Sequence, residues 1–180
     1  IQGVDFTPQW IFNNLSRSYY HSLLGVDLNK HPELAPEGWF VDQDFIPRRS
    51  TSASIVIKGV KKGENPDLTV MWTILGYPPC SAAVPLFVAA GKDQPDYMLK
   101  GSGKGDNCLM CDQALARRAK VFPLTRGNGK NYFNVAAAHQ FMKDLAPLEE
   151  SMFIRADYLM ERSYKQGKLD KESLPLLYIL

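Results

Sequence analysis

A chain of 180 residues is the size of one ordinary domain and can bury a real core. With 45% hydrophobic and 22% charged residues, its composition is that of a soluble globular protein. A net charge of +2 gives no electrostatic case for nucleic acid or a membrane surface, and no stretch reaches the roughly 18 apolar residues of a membrane span.

Ile1-Gln2-Gly3-Val4-Asp5 has neither the basic start nor the apolar run of a signal peptide, and no initiator Met opens the chain. A processed subunit, or a fragment with an upstream part, is the expectation. Thr7-Pro8 reads as an N-cap with proline at the first helical position. Ile11, Leu15, Tyr19 and Leu23 then fall on one face of a helix that Gly25 stops, and this places His21 on its polar side. From Asn29 to Pro47, three prolines and mixed charges around Trp39-Phe40 read as a long connection.

At Thr51 the period changes. Ser54-Ile55-Val56-Ile57 and Leu68 to Leu75 are β-branched and apolar, separated by the turn formers Lys61 to Asp67, which predicts a β-hairpin. Leu75-Gly76-Tyr77-Pro78-Pro79 breaks the second strand, and Ala82 to Val88 reads as a further strand that Pro85 confines to an edge.

Gly101 to Gly105 reads as a flexible surface loop. It is not a phosphate cradle, because Lys104 is followed by Gly105 and Asp106 where a P-loop needs Ser or Thr. Asp106 or Asn107 then caps a helix with Cys108, Cys111, Leu115, Ala119 and Phe122 on one face, ended by Pro123. Arg117, Arg118 and Lys120, the densest basic group, read as its solvated face. Two more helices are expected, from Tyr132 to Leu145 and from Pro147 to Gly167, the second with Leu148, Met152, Ala156 and Leu159 on its stripe. The order of helix, hairpin and helices argues for an α+β fold in a single domain spanning 1–180.

Few local motifs carry chemistry. Cys108-Leu109-Met110-Cys111 at a helix start suits a thiol redox site, but no strand is expected before it. A zinc site would need Cys80 and His139 as well, and neither has ligand spacing. Structural cysteines or an incidental bridge are the plainer reading. His21, His31 and His139 lie near no nucleophile motif and read as surface or satisfied histidines. Glu149-Glu150 reads as the acidic start of a helix, favoured there by the dipole. No self-contained catalytic set emerges.

A longer succession is more specific. Trp39-Phe40-Val41-Asp42-Gln43-Asp44 leads through Arg48-Arg49 and Ser50-Thr51-Ser52-Ala53-Ser54 into Ile55-Val56-Ile57. Asn65-Pro66-Asp67 then precedes Trp72-Thr73-Ile74-Leu75-Gly76-Tyr77-Pro78. This stretch resembles the C-terminal half of N-terminal-nucleophile hydrolases of the acyl-transferase and choloylglycine-hydrolase group, the linear amide C–N hydrolases. The resemblance covers Trp39 to Phe87 in detail and the helical tail only in general order.

The resemblance implies a share of a four-layer αββα sandwich and a cysteine amidohydrolase or acyltransferase cleaving a linear amide. The substrate class would be an N-acyl amino acid, a bile salt or a penicillin-like molecule, with no cofactor or metal. In that group an N-terminal cysteine attacks the amide and its own α-amino group is the base. Residue 1 here is Ile, and Cys80, Cys108 and Cys111 are internal. The nucleophile is therefore expected upstream or on a partner subunit, and this chain alone is expected to be inactive and to expose an apolar sheet face. Arg49 best matches the group's arginine before the strand, with Arg48 as the alternative. Its implied role is to lower the thiol pKa and orient the carboxylate beside it. Trp39, Phe40 and Tyr77 either line an acyl pocket or belong to the core. The group often works outside the cytoplasm, which favours a periplasmic or secreted location. The alternatives are a non-catalytic protein-interaction domain using the same face and a thiol redox protein using Cys108 and Cys111.

Overall fold

The computed structural model describes residues 3, 5–103, 105–123 and 131–179. In chain order the regular elements are α1 (Pro8–Ile11), β1 (Tyr20–His21), β2 (Val26–Asp27), β3 (Trp39–Val41), β4 (Ala53–Lys58), β5 (Val70–Leu75) and β6 (Val84–Phe87). There follow α2 (Asp96–Leu99), β7 (Gly101–Gly103), β8 (Gly105–Cys108), α3 (Leu109–Val121), β9 (Tyr132–Asn134), α4 (Val135–Gln166) and α5 (Leu174–Leu177). Among these, β4, β5 and β6 form one antiparallel sheet with β5 in the middle. The fold is mixed α and β.

The hairpin expected from the sequence is present, with Val56 opposite Trp72 and Ile57 opposite Met71. Pro85 lies on the outer strand β6, where its missing N–H interrupts no ladder among the described strands. One face of the sheet carries Val70, Trp72 and Ile74 into a core shared with Met152, Ala156 and Leu159 of α4 and with α5. Trp72 stacks on Phe153 at 4.0 Å between ring centroids. On the other face Ile55 is 53% and Ile57 66% exposed on the edge strand β4, while Thr73 and Val84 on the same face of β5 and β6 are buried.

A second core lies under β3 and β9. It gathers Tyr19, Leu28, Phe45, Tyr77, Cys80, Phe122 and Phe133. Tyr19 stacks on Phe133, and Phe45 meets both rings edge-on.

Several expectations are corrected. The first helix does not run to Gly25: α1 passes into a π turn at Phe12–Ser16 and ends at Arg17. A π turn holds one extra residue, so the buried face shifts from Ile11 and Leu15 to Phe12 and Ser16, and Leu23 is left exposed. His21 sits in β1 and is buried, not on a polar helix face.

The strand expected from Leu68 starts at Val70, after a 3₁₀ turn at Pro66–Leu68. The region read as a flexible glycine loop is in part the β7–β8 pair; Lys104 within it lies outside the described residues. Cys108 itself is the N-cap of α3, in place of Asp106 or Asn107. The buried side of α3 is Ala114 and Val121, with Ala119 exposed.

Tyr132 to Asn134 form a strand paired with β3, and Asn134 caps the helix that follows by accepting from Ala137 N–H. The two helices expected on either side of Pro147 are one, α4, of 32 residues. Proline inside a helix removes one backbone bond and costs roughly 3 kcal/mol. Packing offsets it here, because Ala138 before Pro147 and Met152, Ala156 and Leu159 after it are buried on the same helix. Gly167 ends α4 in the left-handed conformation, a C-cap that the sequence did announce.

Candidate functional site

Arg49 lies on the loop that leads from β3 into β4. Its side chain is exposed and no described group binds its guanidinium. Its backbone, by contrast, is held on both sides of the Cα. The Arg49 N–H donates to Asp42 Oδ2 at 2.7 Å, and the Arg49 carbonyl accepts from Arg118 Nη1 at 3.0 Å. Asp42 is 2% exposed, and its own N–H is bound to the carbonyl of Asn131. Around these bonds Arg48 Nε donates to the carbonyl of Phe45, and the N–H of Arg48 donates to Thr51 Oγ1.

Tyr77 supports the loop from below. It is fully buried, shares a 2.5 Å hydroxyl–hydroxyl bond with Tyr19 and donates to the carbonyl of Pro47. Burial in the aromatic core, first of all, pushes both phenols well above the ordinary tyrosine range, and each stays a neutral hydrogen-bonding group. Phe40 is half-buried against the same core and meets Phe45 edge-on at 5.6 Å. Trp39 is half-buried on β3, opposite Asn134. The fold thus brings Phe40 and Tyr77 into the aromatic cluster beneath the Arg49 loop. Trp39 is not part of that cluster.

Two arginines read as a solvated face do something else. Arg118 holds the Arg49 carbonyl and Arg117 Nη1 donates to the carbonyl of Cys80, both from half-buried positions on α3. A guanidinium can cap a carbonyl tens of residues away, and helix periodicity has no term for that.

The strongest polar assembly was missed altogether. Arg17 is 7% exposed and every one of its five N–H donors has an acceptor: Pro78 O, Asn13 Oδ1, Ser81 O and both oxygens of Glu149. Glu149 Oε2 also accepts from the N–H of Ala83 at 2.7 Å. Glu149 therefore lies buried in the middle of α4 and does not open a helix; the ion pair, and not the dipole, explains it. Beside the pair is a cavity of about 300 Å³ lined by Asn13, Asn29, Ser81, His139, Met142 and other residues. Ser81 Oγ and His139 Nε2 are buried with no hydrogen-bond partner among the described residues, so the half-buried His139 is not the surface or satisfied histidine expected.

Cys80 and Cys111 are poor nucleophiles. Burial pushes Cys80 up to about 12, and burial, then Cys108 and Asp112, raise Cys111. A strand, β8, does run into the Cys108–Cys111 motif, contrary to the sequence reading, but the cysteines are free thiols. Titration of the native protein with an aromatic disulfide at pH 8 is expected to modify Cys111 first and to leave Cys80 unreacted until the fold is opened. Prompt reaction of Cys80 would contradict its placement in the core.

Among the described residues no group of three or more His, Cys, Asp or Glu stands ready to hold a metal ion, and no helix is long and apolar enough to cross a membrane. Compared with protein-family profiles, curated proteins and solved structures, the chain matches none.

Proposed function

We propose that this chain is the C-terminal portion of a cysteine amidohydrolase or acyltransferase that cleaves a linear amide. In this reading the nucleophile is supplied by an upstream part of the polypeptide or by a partner subunit. The observation that carries it is on β4. The strand leaves Ile55 and Ile57 uncovered on the outer side of the sheet and begins four positions after an arginine whose backbone is fixed and whose guanidinium is bound by none of the described residues. Two large apolar side chains side by side on a strand face need a covering layer, and a second sheet laid there would complete an αββα sandwich.

The chemistry follows from that arrangement. A cysteine at a chain start combines a thiol with an α-amino group of pKa ~8, so one residue serves as both nucleophile and base. Arg49 would stand by the thiol and favour its thiolate. Phe40 and Trp39, both half-buried on β3, supply apolar area for the acyl group of an N-acyl amino acid, a bile salt or a penicillin-like amide, with Tyr77 in the core beneath them.

The test uses the whole nucleophile-bearing protein with N-acyl amino acids, conjugated bile acids and penicillin V as probes. Arg49→Ala is expected to lower kcat/KM by roughly 10–100-fold while leaving Tm within a few degrees, since a neighbouring cation moves a pKa by about 1–3 units. Full activity of that variant, or no cysteine exposed by processing in the complete protein, ends the reading. The alternative, a non-catalytic interaction domain docking through Ile55 and Ile57, predicts a partner lost on Ile57→Lys and indifference to Arg49→Ala.

A further inference from the structure

We propose that Asp42 and Arg118 are positioning residues for Arg49, holding the peptide units on either side of its Cα so that the side chain starts from a fixed place; this rests on the amidohydrolase reading. An exposed loop residue ordinarily leaves its N–H and C=O to water. Here a buried carboxylate takes the N–H at 2.7 Å and a guanidinium from α3 takes the C=O at 3.0 Å. The residue that carries this carboxylate is anchored by its own backbone N–H, which donates to the carbonyl of Asn131 beside the β3–β9 pair. The guanidinium stands on a helix whose Ala114 abuts the turn at Gly76. Arg49 is thus referenced to two separate elements of the scaffold while its own side chain is bound by none of the described residues. Tyr77, through Pro47, ties the same loop to the aromatic core.

That division of labour is what a reacting site needs. A cation that steadies a thiolate works only if it is already in place, and a displacement of about 1 Å can reduce a rate by as much as 10²-fold. A bond that merely closed the surface loop would need Asp42 alone. The second hold, from a different element onto the next peptide unit, fixes the orientation of the Arg49 backbone as well as its position.

The experiment is a double-mutant cycle in the whole nucleophile-bearing protein, with an N-acyl amino acid as the probe. Arg118→Met is expected to lower kcat by roughly 10-fold with KM nearly unchanged. It also moves the acid limb of the kcat/KM profile to higher pH, because the thiolate loses part of its partner. Arg118→Lys, which keeps a donor, restores most of the rate. In an Arg49→Ala background Arg118→Met is expected to cost nothing further, since there is no side chain left to position. Equal loss in both backgrounds, or no loss in the native one, overturns the inference. If Arg118→Met does not fold, Arg118→Gln carries the same comparison. A native protein inert towards every amide removes the functional reading, and this inference with it. An active protein with additive losses removes this inference alone.

Discussion

Replacing Glu149 with alanine is expected to destabilise the protein by roughly 3–5 kcal/mol, or about 6–20 °C in Tm for a chain of this size. The reason is the state in which Arg17 is left. Its guanidinium is buried, bound to both carboxylate oxygens at 2.8 and 2.6 Å, and its other acceptors are the neutral Pro78, Asn13 and Ser81. Without Glu149 a full positive charge stays out of water with no counter-charge. The N–H of Ala83 also loses its acceptor.

The same argument says the pair is not a net source of stability. Two ions taken from water gain little over well-packed apolar residues of the same volume. The double variant Arg17→Met/Glu149→Leu is therefore expected to recover much of what Glu149→Ala loses. Urea unfolding of the single and double variants measures this. Glu149→Ala within about 1 kcal/mol of the parent would mean that the ion pair is not formed in solution. What the pair contributes is placement: it ties Arg17, the Pro78–Ala83 segment and the middle of α4 to one point, two positions after Pro147.

Gly76→Ala is the second large effect. Gly76 closes β5 with a φ of 83°, a conformation that costs an alanine roughly 1–3 kcal/mol. A Cβ there would also lie 2.5 Å from the Cβ of Ala114 on α3, far inside contact distance. Overpacking of that kind adds roughly 1–3 kcal/mol. The two contributions can be separated. Ala114→Gly in the Gly76→Ala background is expected to return the contact part and leave the backbone part, as read by denaturant midpoints. A Gly76→Ala protein as stable as the parent would show that α3 does not press on this turn. Because Arg118 lies one helical turn beyond Ala114, a forced shift of α3 is also expected to loosen the carbonyl of Arg49.

The β4–β5 hairpin, the edge strand at Pro85, the body of α3 up to Pro123 and the glycine cap at Gly167 were all legible in the sequence. Each is a local matter: an alternation, a turn cluster, a residue that lacks an N–H or accepts a positive φ. Arg49 too could be singled out, from its place before a strand. Its setting could not. The acceptor on its N–H lies seven residues back and the donor on its carbonyl 69 residues ahead.

What misled the periodicity was also physical. One π turn rotated the face of the first helix. A proline that ought to divide a helix was outweighed by the buried stripe on both sides of it. Tyr132, Phe133 and Asn134 became a strand because β3 stood ready to pair, some 90 residues earlier in the chain. Tyr77 was read as a pocket or core residue; its hydroxyl, bound to Tyr19 and Pro47, places it in the core under the loop.

The sequence by itself determined the β4–β5 hairpin, the edge strand at Pro85, the body of α3 and the glycine stop of α4, because each rests on a local alternation, turn or cap. The tertiary structure alone decided which charges are buried and what they hold. Arg17 meets Glu149 across 132 residues and Arg118 meets Arg49 across 69. A window of a few turns cannot see such partners, because a hydrogen bond is fixed by distance in space and not by distance along the chain.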